Sequence, residues 1–133
     1  MGSLVKVTRL QLQLNSLTGS FPTTTGSMIG LQHFHVNDNL LTGQLPSCLG
    51  DLVNLKDMRV SQNSFTGSLP PTLGSLLQIT RLMLSNNVLS QSIPLGLYSL
   101  GKLQSLDAHT NQLGRSYFVE NRIFVVIDRT SSL

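Results

Sequence analysis

Asparagine stands at Asn15, Asn39, Asn63, Asn87 and Asn111, each 24 residues after the one before. Apolar residues keep the same step. Five positions before each asparagine come Leu10, Phe34, Met58, Leu82 and Leu106; three before come Leu12, Val36, Val60, Leu84 and Ala108. Eight before stand Val7, Leu31, Leu55, Ile79 and Leu103, and eleven before stand Leu4, Met28, Leu52, Leu76 and Leu100. Two after come Leu17, Leu41, Phe65, Leu89 and Leu113. Columns that hold step through five registers point to a solenoid of five 24-residue coils. One such coil cannot bury its inner face alone, so the coils stack and share a continuous core.

Each column has a physical task. Apolar residues at the −5 and −3 positions, with polar residues between them, make a short strand with one face inward. The chain then turns and leaves backbone groups inside with no ladder partner. An inward asparagine carries both a donor and an acceptor and can satisfy them, so Asn15, Asn39, Asn63 and Asn87 are expected to be buried. Gly19, Gly43 and Gly67 follow, where a bend tolerates positive φ. Pro22, Pro46, Pro70 and Pro94 then rule out a regular helix and suit extended or 3₁₀ pieces. Composition agrees: leucine supplies 26 of 133 residues and alanine one, whereas a helical bundle would draw on both.

The pattern L-x-x-L-x-L-x-x-N-x-L-x-G-x-[IL]-P, closed by a Leu-Gly pair, is fullest from Leu52 to Gly74 and again from Leu31 to Gly50. It resembles the plant-specific leucine-rich repeat. That resemblance implies an α/β solenoid, rich in β, wound as a right-handed superhelix with a parallel sheet on its concave side. A second, smaller sheet is implied for the Thr-Gly-x-Leu-Pro segments. Members of this subclass are mostly ectodomains of receptor kinases and receptor-like proteins, or secreted inhibitors of polygalacturonases.

The chain also departs from the pattern. Gln91 replaces the glycine of the fourth coil, Tyr98 breaks the Leu-Gly pair, and Arg115 stands where the fifth coil should have glycine. These limits divide the chain into a solenoid over residues 1–113 and an irregular tail or partial cap over 114–133, where Ile123–Ile127 could cover the last coil. Cys48 is the single cysteine, so cysteine-pinned caps are excluded, and both the Leu4–Val7 and Ala108–Leu113 edges are expected to expose core. The start has no signal-peptide apolar core, and no apolar run reaches the roughly 20 residues of a membrane span. The chain reads as an internal piece of a longer solenoid or a truncated relative of one.

The outward strand positions form three columns on one face. They read Arg9, His33, Asp57, Arg81, Ser105; then Gln11, His35, Arg59, Met83, Asp107; then Gln13, Asn37, Ser61, Ser85, His109. Of these, His33, His35, Asp57, Arg59, Arg81, Met83, Asp107 and His109 make a patch of both charge signs suited to docking a partner. The bland alternative is a solvated face whose charges pair along the columns, with Asp57 lying between His33 and Arg81.

His33, His35 and Asp57 are a possible metal-ligand set, but ligands on a flat sheet converge poorly, so no metal is expected. Ser85, His109 and Asp107 can be drawn as a hydrolytic triad, yet an open face lacks an oxyanion hole. The string Gly96 to Lys102 begins like a phosphate-binding loop but runs into Leu103 where Ser or Thr should follow. No catalytic residue and no cofactor is therefore assigned. A net charge of +3 over the whole chain is no nucleic-acid footprint.

The function expected is a non-catalytic recognition module binding a protein or peptide ligand through the concave sheet. The resemblance adds a co-receptor as a further partner class and an extracellular or plasma-membrane ectodomain as the setting. The alternative is a secreted inhibitor resembling the polygalacturonase-inhibiting family.

Overall fold

The computed structural model describes residues 6–114. Ten short strands alternate between two sides of the coil. Those of the first side are β1 (Arg9–Gln11), β3 (His33–His35), β5 (Asp57–Arg59), β7 (Arg81–Met83) and β9 (Ser105–Asp107). Those of the second are β2 (Thr18–Gly19), β4 (Leu40–Gln44), β6 (Ser64–Gly67), β8 (Val88–Gln91) and β10 (Gln112–Leu113). Each set pairs in order into a five-stranded parallel sheet. The first-sheet strands centre on the −5 column, one residue earlier than a centre at the outward −4 column would give.

Between the sheets lies one core. Leu31, Leu55 and Ile79 are fully buried, as are Met58, Leu82 and Phe65, while Phe34 is nearly so. The second sheet has as many strands as the first, against the expectation of a smaller one. The return path holds 3₁₀ turns at Thr23–Ser27, Ser47–Asp51, Pro71–Ser75 and Leu95–Ser99. Each follows a proline whose carbonyl accepts the N–H of the turn's third residue, Thr25, Leu49, Leu73 or Leu97. No α-helix occurs among the described residues, so the solenoid is β-rich.

Neighbouring 3₁₀ turns approach closely at the glycines Gly26 and Gly50, which follow Thr25 and Leu49. A Cβ on Gly50 would lie 2.6 Å from the Cβ of Thr72, and one on Gly26 would lie 2.8 Å from the carbonyl oxygen of Cys48. Glycine is there because the backbones touch.

The asparagine ladder joins each coil to the one before it. Nδ2 of Asn63 donates to the carbonyls of Val60 and Ser61 in its own coil and of Val36 in the preceding coil, while Oδ1 accepts the N–H of Leu41. Asn39, Asn87 and Asn111 repeat the arrangement and are buried, with Asn63 half-buried. Asn15 is the exception: it is exposed and reaches only Leu12 and Gln13 of its own coil. No preceding coil lies among the described residues to supply the other partners, so the expected burial of Asn15 fails.

The two ends differ. At the first coil Leu12 is 37% exposed and Leu17 is 39% exposed, as an open edge requires. At the last coil Leu106, Ala108 and Leu113 are buried, which corrects the expectation that the Ala108–Leu113 edge exposes core. Leu4 and Val5 of the first edge, and the expected tail with its Ile123–Ile127 strand, lie outside the described residues.

Candidate functional site

Alternation along each first-sheet strand sends residues −6 and −4 to the same face, and the parallel register aligns these positions across coils. Arg9, His33, Asp57, Arg81 and Ser105 are lateral neighbours in turn, and so are Gln11, His35, Arg59, Met83 and Asp107. The eight candidate residues therefore share one face, with His109 two residues beyond Asp107.

Charges on this face pair along the strand rather than along the column. Nε of Arg59 donates to both carboxylate oxygens of Asp57, at 3.1 and 3.2 Å, and Nη2 reaches Oδ2 at 2.9 Å. Asp107 contacts Nδ1 of His109 and accepts its backbone N–H at 3.3 Å. Arg81 stands beside Asp57, yet makes no ion pair among the described residues and is exposed. Pairing down the column, with Asp57 shared between His33 and Arg81, is not formed.

His35 lies on the outward face but is covered, at 8% exposure. Its Nε2 sits 3.3 Å from Oδ2 of Asp57, an ion-pair contact rather than a well-aligned hydrogen bond. Burial lowers the His35 pKa below the ordinary value, with Asp57 pulling the other way and Arg59 reinforcing the fall. For Asp57, burial acts to raise the pKa, but the hydrogen bonds and charge of Arg59, helped by His35, leave it lowered. The ring of His33 stands edge-on to that of His35, centroids 6.2 Å apart. The donor atoms of His33, His35 and Asp57 all lie within 4.8 Å of one another, a convergence not expected of a flat sheet.

The triad drawn from the sequence does not assemble. Ser85 is buried and its hydroxyl donates to the Ser61 hydroxyl at 3.1 Å, not to His109. Cys48 is half-buried and free. Among the described residues, no helix is long and apolar enough to cross a membrane.

Residues 30–52 and 54–76 each match the family described as Leucine Rich Repeat. No curated protein matches the chain in sequence. Solved structures do. One is the ectodomain of the Arabidopsis thaliana membrane receptor kinase GASSHO1/SCHENGEN3 in complex with CASPARIAN STRIP INTEGRITY FACTOR 2. It is 32% identical with a TM-score of 0.84, over 88% of this chain and 14% of that one. A second is the ectodomain of the Arabidopsis receptor kinase HAESA in complex with an N-terminally extended IDA peptide hormone, 31% identical with a TM-score of 0.83, over 91% and 22%. A third is the ectodomain of the Arabidopsis thaliana receptor kinase SOBIR1, 27% identical with a TM-score of 0.81, over 92% and 68%. The chain spans about a seventh and a fifth of the first two.

Proposed function

We propose, on the premise that this chain is a leucine-rich repeat protein similar to the ectodomains of plant receptor kinases, that it is a non-catalytic module recognising a protein or peptide. In this reading it is a piece, or a shortened relative, of an extracellular receptor ectodomain, and it binds across the first sheet as the concave surface. Two of the similar ectodomains were solved with such ligands, CASPARIAN STRIP INTEGRITY FACTOR 2 and the IDA peptide hormone. The similar structures named above are all receptor ectodomains, which favours the receptor reading over the inhibitor one.

The observation that carries the proposal is the state of Arg81. The carboxylate beside it is already held by Arg59, so an exposed guanidinium faces outward with no internal partner among the described residues. Arginine can fork onto a carboxylate and stack on an aromatic group, which makes it a frequent interface anchor. Met83 lies two residues along the same face and supplies an adaptable apolar contact.

A peptide library displayed on phage and panned on the purified chain tests this. Selected peptides should lose binding to the Arg59→Ala, Arg81→Ala double variant and keep it for Gln44→Ala with Ser68→Ala, on the second side of the coil. The reverse pattern would place recognition elsewhere and sink the concave-face reading.

A further inference from the structure

We propose that His33, His35 and Asp57 form a binding site for a divalent transition-metal ion, zinc first among them. The site does not depend on the recognition role, because a metal ion alone can probe it.

Two imidazoles and a carboxylate are a donor set suited to zinc, leaving a fourth position open to water or a partner group. The fold brings them together for simple reasons. His33 and His35 are two residues apart on β3 and project to one side, and the parallel register sets Asp57 directly beside His33. The donor atoms lie within 4.8 Å of one another. Tetrahedral zinc ligands stand about 3.3–3.5 Å apart, so the cluster must contract by about 1.5 Å at most. His33 is half-buried and rotation of its side chain can supply most of this, whereas the Asp57 carboxylate is held by Arg59.

The second observation is the His35 nitrogen. A polar atom buried without a hydrogen bond is costly and rare in folded proteins. Nε2 of His35 makes no well-aligned hydrogen bond, and its one close polar neighbour is the Asp57 carboxylate, with Oδ2 at 3.3 Å. A metal ion between the two would satisfy it.

One group opposes the ion. Arg59 holds both oxygens of Asp57, and its positive charge repels a dication. The side chain is 36% exposed and can swing aside, so it should weaken the site without blocking it.

The test uses the untagged chain, stripped with a chelator and titrated with Co²⁺ near neutral pH, with Zn²⁺ as competitor. One equivalent of cobalt should produce the visible absorption of a low-symmetry site, and one equivalent of zinc should abolish it. His33→Ala and Asp57→Asn should each weaken binding by at least about tenfold while keeping a cooperative melt, and Asp51→Asn, on a 3₁₀ turn outside the cluster, should leave cobalt binding unchanged. Arg59→Gln should tighten binding severalfold. Weak binding at many sites, or binding that survives both His33→Ala and Asp57→Asn, would mean adventitious metal only and overturn the proposal. Loss of binding in Arg59→Gln would overturn the claim that three side chains suffice.

Discussion

The side-chain oxygen of Asn63 accepts the backbone N–H of Leu41, 22 residues earlier, at 3.0 Å. With its three donations to Val36, Val60 and Ser61, this amide closes the turn of its own coil and fastens that coil to the one before. One side chain thus performs a local and a long-range task together.

Asn63→Ala should accordingly cost on the order of 1–3 kcal/mol, because the N–H of Leu41 and the carbonyl of Val36 lose a shared partner. Asn15→Ala, at an exposed position with bonds only to Leu12 and Gln13, should stay within about 0.5 kcal/mol. Denaturant melts of the two variants provide the comparison. Equal losses would show that the coil-to-coil bonds contribute nothing beyond the local turn.

The solenoid was legible because its core columns are apolar and repeat without a slip. What the sequence hid lies where the backbone decides. Leu14, Asp38, Gln62, Asn86 and Thr110, each just before the asparagine, all take φ between 54° and 60°. Only Asp38 and Asn86 are residue types that tolerate that region well, so the column shows no common chemistry. The site was half legible. Alternation put the eight residues on one face, but the choice of Asp57 for Arg59 rather than Arg81, and the covering of His35, depend on rotamers that spacing does not fix. The Asn15 exception follows from position in the stack, which no column reveals.

Gly50→Ala should destabilise the chain by about 1–3 kcal/mol, the usual cost of overpacking. Its new Cβ would meet backbone atoms of the next 3₁₀ turn, which cannot move aside as the end of a side chain can. Gly101→Ala is the control, since nothing lies within 4 Å of the Cβ it would gain. Thermal melts of both should separate. If the two variants melt alike, the close approach of the turns is not what selects glycine at position 50.

Gln91→Gly should have the opposite sign. Gln91 stands at φ 67°, where the three preceding coils place Gly19, Gly43 and Gly67 at 86°, 80° and 77°. A residue with a Cβ costs about 1–2 kcal/mol there, and the greater freedom of glycine in the unfolded chain returns about 0.5–1 of it. The net expectation is a gain of about 0.5–1 kcal/mol, read as a higher denaturant midpoint with unchanged slope. A lower midpoint would show that the exposed glutamine makes a contribution its backbone strain conceals.

The first coil leaves apolar side chains of its core columns uncovered. Leu10, Leu12, Leu17, Phe21, Met28 and Phe34 are among the residues lining a cavity of about 260 Å³ whose polar surface is slight. In the coils that follow, the equivalent positions Val36, Phe65 and Met58 are closed over by a preceding coil and are buried. Apolar surface left in water at roughly 25 cal/mol per Å² favours any contact that covers it. The chain should therefore enhance the fluorescence of an apolar dye and sediment faster as its concentration rises. Leu12→Lys with Leu17→Lys should suppress both effects with little change in melting temperature, because both side chains are already more than a third exposed. Dye binding and association that persist in the double variant would place the sticky surface elsewhere. The exposed column of Ile29, Val53 and Leu77 would then be the next to change.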